Sequence, residues 1–232
     1  MCGRMNFDNK HSKIISEFFG CNFSAPSNSN LSPGQTVATL VSKGLSAASA
    51  EDDKNQQSPF KQLDSNWGIQ PSWSKRLLIN AQSETVLTKS TFKEAIKTHR
   101  CLIPCSGWYE WRTEGNNKKK YLFSHVNEEP LLMAGIWYSN QDERQIEKVK
   151  QSENQISYPD SSGSNKQNSS PKAKQQLVTL TTEPNAKCAE YHLRMPVIIL
   201  PQYRDFWFQS PAEQLSPLFQ AIDQRFIKIS AA

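Results

Sequence analysis

The sequence predicts an α+β fold: a curved, mostly antiparallel β-sheet with short flanking helices. Three observations carry this. Short apolar runs of strand length recur at 36–41, 75–79, 100–104, 107–112, 121–126, 131–137, 177–182, 197–200 and 225–230. The helical stretches between them are brief and do not alternate strand by strand, as a parallel βαβ sheet requires. No segment repeats itself. Hydrophobic residues make up 37% of the 232, a low share for a packed domain. The expectation is one domain, 1–232, with polar length inserted into it.

Taken in order, Ile14, Ile15, Phe18 and Phe19 stand at helical spacing with Gly20 as a stop. Residues 22–35 are rich in Ser, Asn and Pro and read as loop, and 42–62 as an exposed polar insertion. Residues 75–79 form a strand leading into Asn80. Thr91 and Glu94 have capping-box spacing, opening a helix with Phe92, Ala95 and Ile96 inward and Lys93, Lys97 and Arg100 outward. The runs 100–104 and 107–112 read as two strands joined by a turn. Residues 141–176 are the clearest break in composition: Gln, Ser, Asn and charged residues with few apolar ones. Such a segment cannot bury enough surface to offset its ordering entropy, so it reads as a low-complexity, disordered insertion between strands. Asn185 caps a helix running to 191. Further helices are expected at 201–208 and 211–219, the latter with Ser210 as N-cap and Pro211 at its first position.

The net charge of +5 is compatible with a nucleic-acid partner without demanding one. The chain has no secretory apolar region and no run long enough to span a bilayer, which predicts a cytoplasmic protein; a monomer is expected. Five cysteines, an odd number, argue against a disulfide framework. Cys101 and Cys105 lie near His99, but no second pair stands at ligand spacing, so buried free thiols are expected and no metal. Phosphate-cradling glycine loops and a Gly-x-Ser-x-Gly elbow are absent.

The chain begins Met1-Cys2-Gly3-Arg4. Methionine is routinely trimmed before a small residue, leaving Cys2 with an α-amine and a thiol on neighbouring carbons. An α-amine titrates near ~7.7–8.0, so a useful fraction is neutral at pH 7. It attacks an aldehyde to form an imine, to which the thiol can add. On local sequence Glu110, between Tyr109 and Trp111, fits either a proton-transfer carboxylate in an apolar setting or a solvent-facing strand residue. His192 fits a proton carrier or a structural hydrogen-bonder. Asn80 fits a site residue or a turn.

The motifs matter in combination. Met1 to Arg4, Trp67-Gly68 with Pro71 and Trp73, Asn80-Ala81 with Ser83-Glu84-Thr85, Cys101 to Pro104 running into Gly107 to Trp111, Ala134 to Trp137, Thr179 to Thr182 with Asn185-Ala186, and His192 to Pro196 occur in this order. The series resembles the SRAP family, the SOS-response-associated peptidase fold, over essentially the whole chain apart from 42–62 and 141–176. The resemblance implies a single SRAP-like, barrel-like domain, no cofactor, and a suicide-type sensor. That sensor cross-links abasic sites in single-stranded DNA through a thiazolidine and shields them in the DNA damage response; in a bacterium it would be nucleoid-associated. By the same resemblance Cys2, Asn80, Glu110 and His192 form the catalytic set. Asn80 would hold the sugar or the Cys2 backbone, Glu110 would move protons during imine formation and ring closure, and His192 would serve the sugar oxygen. Arg4 and Arg194 would bind phosphates. Trp73 would stack on or wedge between bases; Trp67 beside it is a second candidate that reads better as core. Gln82 stands where the family usually has arginine, and Leu193 where it has an acid, so both changes bear on DNA affinity. The alternative is a cysteine peptidase or N-terminal-nucleophile amidohydrolase, including autoproteolytic removal of Met1. On either reading Met1 blocks the amine until it is removed.

Overall fold

The computed structural model describes residues 3–44, 58–71, 73–139 and 175–232. Most of the two expected insertions, and Cys2 itself, lie outside the described residues. The described strands are β1 (Met5–Phe7), β2 (Asn28–Leu31), β3 (Thr36–Ser42), β4 (Phe60–Trp67), β5 (Asn80–Gln82), β6 (Arg100–Cys105), β7 (Gly107–Glu114), β8 (Asn117–His125), β9 (Leu131–Tyr138), β10 (Gln175–Thr182), β11 (Met195–Pro196) and β12 (Ile227–Ala231). Four short helices accompany them: α1 (His11–Phe19), α2 (Ala95–Thr98), α3 (Ala186–Ala189) and α4 (Arg204–Gln209). No helix among the described residues is long and apolar enough to cross a membrane.

The strands form two sheets rather than one. The first runs β12-β8-β7-β1-β2 and is antiparallel throughout. The second runs β11-β10-β4-β3-β6-β9 and curls until β9 also pairs with β10; its only parallel pairings are those of β10 with β4 and β5. The runs 100–104 and 107–112 are therefore not a hairpin: β6 belongs to the second sheet and β7 to the first. The chain changes sheets at Ser106–Gly107. There a Cβ on Gly107 would lie 2.3 Å from the Phe123 carbonyl oxygen, so only glycine permits β7 to approach β8 so closely.

Side-chain alternation divides the core. Along β9, Leu132, Ala134 and Ile136 face one cluster with Ile15 and Phe19 of α1 and Trp207 and Phe208 of α4. Leu131, Met133 and Trp137 face the opposite cluster, which joins Met5, Trp108 and Phe123 of the first sheet. Burial on both faces explains why β9 reads as a continuous apolar run. Each such large side chain contributes about 1.5–3 kcal/mol when fully buried.

Several elements differ from expectation for identifiable reasons. Helix α1 ends at Gly20, whose φ of +62° suits a glycine C-cap. It buries His11, Ile15 and Phe19, while Ile14 and Phe18 are exposed. Polar β2 (NSNL) is an edge strand inside the expected loop, and β4 starts within the expected insertion 42–62. Backbone pairing, not side-chain pattern, makes both. The strand expected at 75–79 is reduced to a bridge between Leu78 and Ile69, followed by β5. The helix expected at 211–219 is two 3-10 turns, with Pro211 rather than Ser210 in the capping position.

Arg100, expected to face outward, is 1% exposed. As the first residue of β6 it turns inward, and its guanidinium donates to the carbonyls of Ile96 at 3.1 Å, Phe208 at 2.9 Å and Ser210 at 2.9 Å. It ties α2 and α4 to the second sheet. Replacing Arg100 with Met leaves three buried carbonyls without this donor. Urea unfolding should show a loss of about 3 kcal/mol; a loss below about 1 kcal/mol would mean that water replaces the guanidinium.

Candidate active site

The site is built where the inter-sheet core layer reaches its rim. Trp108 and Glu110 alternate onto the inner face of β7, opposite Phe123 and Tyr121 of β8. Trp108 and Phe123 stack with ring centroids 5.0 Å apart and fill the core behind Glu110. The Glu110 side chain is thus held at the end of an apolar face, 3% exposed. Of the two sequence readings, the solvent-facing one does not hold. Burial pushes the carboxyl up to about 7, against the opposing pull of the amino terminus's positive charge.

The start of the chain is anchored next to it. Strand β1 pairs with β7 through Met5 opposite Trp108 and Asn6 opposite Gly107. The Tyr109 amide donates to the Arg4 carbonyl at 3.0 Å, so Arg4 lies beside the residue preceding Glu110. The Arg4 guanidinium donates to Asn30 Oδ1 at 2.8 Å.

Asn80 comes from the second sheet. It opens β5, in parallel register with Thr179 of β10. Its successor Ala81 faces the helix-side cluster, and the Asn80 side chain is half-buried. The Thr179 hydroxyl donates to the Asn80 carboxamide oxygen and orients the amide. The preceding carbonyl, Ile79, is pinned by the Thr179 amide at 3.0 Å and by the Trp67 indole Nε1 at 3.2 Å. Trp67, 0% exposed, belongs to the core, as its sequence setting favoured; it supports the backbone under Asn80. Trp73 is exposed.

His192 is delivered by α3. The Asn185 side chain caps this helix by accepting from the Cys188 amide at 2.9 Å, and the His192 amide donates back to the Cys188 carbonyl at 3.1 Å. Tyr191 packs on Tyr121 and Phe123, with centroid separations of 4.7 Å and 5.4 Å, which seats the segment on the face that carries Glu110. Burial pushes the Cys188 thiol up to about 11. His192 Nδ1 lies 3.0 Å from the Arg194 amide and 3.1 Å from the Arg194 carbonyl. The neutral ring can accept from the amide and the charged ring can donate to the carbonyl, so one cradle serves both protonation states. Burial, joined by the amino terminus's positive charge, lowers the imidazole below its ordinary value.

Asn80, Glu110 and His192 thus come from three parts of the chain: β5 of the second sheet, β7 of the first, and the segment after α3 that Tyr191 seats against β8. Sequence reasoning missed Thr179 and Glu84 as parts of the site, although both lie within motifs that the sequence displays. Glu84 is the unexpected one: it pairs with Arg194. Cys21, Cys101, Cys105 and Cys188 are free and buried.

The described residues thus set a buried carboxyl one strand away from β1, with Asn80 and His192 held on packed elements of their own. The model of the family described as SOS response associated peptidase (SRAP) matches residues 1–231, and the chain belongs to that family. Abasic site processing protein YoqW of Bacillus subtilis is 24% identical over 96% of this chain and 88% of its own length. Abasic site processing protein YedK of Escherichia coli is 37% identical over 30% of this chain and 32% of its own length. A solved structure of a Bordetella bronchiseptica protein superposes with a TM-score of 0.71 at 18% identity, covering 100% of this chain and 99% of the other.

Because the folded state holds Glu110's proton more tightly than the unfolded chain, Glu110 makes stability fall as pH rises from its ordinary value, 4.5, toward about 7. Glu110→Gln should remove that component. Its thermal midpoint relative to wild type should rise between pH 5 and pH 8; a constant difference would mean that the carboxyl titrates normally.

Proposed function

We propose that the chain captures abasic sites in single-stranded DNA covalently, through a thiazolidine formed by Cys2 after Met1 is removed. The observation that carries this is the anchoring of Arg4 beside Tyr109, one residue from buried Glu110. Covalent geometry keeps the Cys2 α-carbon within about 7 Å of that of Arg4, which supports a role for the mature amine and thiol beside the strand that carries Glu110. The relatives' names, as abasic site processing proteins, support the same substrate.

An abasic sugar in its open form presents an aldehyde at C1. The neutral amine of Cys2 adds to it. A proton from Glu110, whose carboxyl is raised to about 7, lets the carbinolamine hydroxyl leave as water and gives the imine. The thiol then adds to the carbon of the imine, which still carries its nitrogen proton, and the thiol proton returns to the Glu110 carboxylate, closing a five-membered ring; the net change is the loss of one water. His192 serves ring opening by carrying a proton to the sugar oxygen, the cradle of Arg194 holding it in either state. Asn80, oriented by Thr179, holds the sugar or the Cys2 backbone. The missing base lowers the cost of presenting the lesion. Trp73 offers an exposed ring for stacking, and Arg4 a cation at the entrance.

The test mixes the purified protein with single strands carrying an abasic site or an intact base, followed by a denaturing gel and mass spectrometry of the N-terminus. A covalent band on the abasic strand only, lost in Cys2→Ala, is expected. Absence of the band despite a confirmed N-terminal Cys overturns the reading. Glu110→Gln should slow cross-linking by roughly 10²-fold or more with little change in noncovalent binding. The same spectra bear on the peptidase reading: Met1 retained only in site variants assigns its removal to the site, and Met1 absent from all of them assigns it to another enzyme.

A second prediction concerns the long insertion. Tyr138 at the end of β9 pairs with Gln176 at the start of β10, so the residues between leave and rejoin the sheet at adjacent strand ends. Deleting 145–172 should leave the cross-linking rate within about twofold of wild type; a large loss would make the segment part of the site.

A further inference from the structure

Arg194, expected to meet phosphate, has its outward fork already filled. Its Nη1 and Nη2 donate to Glu84 Oε1 and Oε2, each at 2.8 Å, and Nη2 also donates to the Thr181 carbonyl at 2.7 Å. The other edge of the guanidinium, at Nε, is buried without a hydrogen-bond partner among the described residues. Two oxygens of one anion seated on the two Nη groups is the geometry in which a guanidinium binds either carboxylate or phosphate.

We propose that Glu84 is a carboxylate gate on Arg194: it occupies the fork that a phosphate of single-stranded DNA would take, so the strand engages Arg194 only by displacing it. This deepens the reading above and rests on it for the identity of the strand. The two partners are unequally held. Arg194 is fixed by Thr181 and by its backbone contacts with His192, and its side chain is 17% exposed against 44% for Glu84. Glu84 stands in the turn after β5 and borders an open cleft of about 510 Å³ lined also by Ser83, Leu87, Thr182, Glu183 and Phe219, which gives it somewhere to go. The hydrogen bond from Arg194 holds the Glu84 carboxyl below its ordinary value, so at neutral pH the competitor is charged. Gln82, two residues earlier on the same edge, adds no positive charge of its own. With Glu84 in place, this edge attracts polyanions weakly. Only a phosphate that reproduces the bidentate geometry recovers the cation.

Binding of a fluorescein-labelled single strand with intact bases, followed by anisotropy across a NaCl titration, tests the gate. Glu84→Gln should bind roughly two- to fivefold tighter at low salt. Its plot of log K against log salt should steepen by about 0.7, the increment of one added phosphate contact on a single strand. The gain should vanish when Arg194→Ala is added. Unchanged or weaker binding with an unchanged slope overturns the gate, as does a gain that survives Arg194→Ala. Should Glu84→Gln fold poorly by circular dichroism, Glu84→Asp, which keeps the charge but not the reach, should still tighten binding; no change there overturns the gate equally. Wild type that cross-links abasic strands while neither variant gains affinity sinks the gate alone. Wild type that binds but never cross-links, while the variants gain, sinks covalent capture and leaves the gate standing.

Discussion

The pairing of β1 with β7 is the constraint on which the site depends. Met5 opposite Trp108, and the bond from the Tyr109 amide to the Arg4 carbonyl, place the beginning of the chain inside the first sheet rather than at its margin, since β2 flanks β1 on the other side. Both neighbours must be present for the start of the chain to have a fixed position. The Trp108–Phe123 stack behind Glu110 sets the low-polarity surroundings that keep its proton near neutral pH. The same face receives Tyr191 and with it His192. Anchoring of the start, tuning of Glu110 and delivery of His192 are therefore one packing arrangement.

The polar residues of the site are held by neighbours that do no chemistry. Asn80 depends on Thr179 for the direction of its amide and on Trp67 for the carbonyl before it. His192 depends on the cap at Asn185 and on the backbone of Arg194. Side chains oriented in this way lose little further freedom on binding. The result is a rigid rim built from both sheets. Glu84, by contrast, borders an open cleft and has room to rearrange.

Much of this was legible in the sequence. Apolar β6, β9 and β10 announced themselves by composition, and the Asn185 cap and the Gly20 stop by local chemistry. Polar β2 and β4 did not, because their pairing is a property of partners distant in sequence. The inward turn of Arg100 was hidden because nothing local reveals three carbonyls waiting in α2, in α4 and just past its end. Asn80, Glu110 and His192 could be chosen as a set only from the order of motifs. Each alone was ambiguous, and the ambiguity at Glu110 was resolved by Trp108 on its own strand and Phe123 across from it. The lock on Arg194 was missed for a related reason: a glutamate in a turn is ordinary until the strand pairing brings it to an arginine 110 residues away.

The placement of β1 has a consequence for the order of events during synthesis. Its neighbour β7 emerges about a hundred residues after it, which at about 5–20 residues per second means a delay of several seconds. Throughout that interval β1 has no β7 to pair with. Once β7 arrives, the same residues become part of a sheet. The topology thus delays the fixing of β1 until the chain has grown long enough to supply its partner.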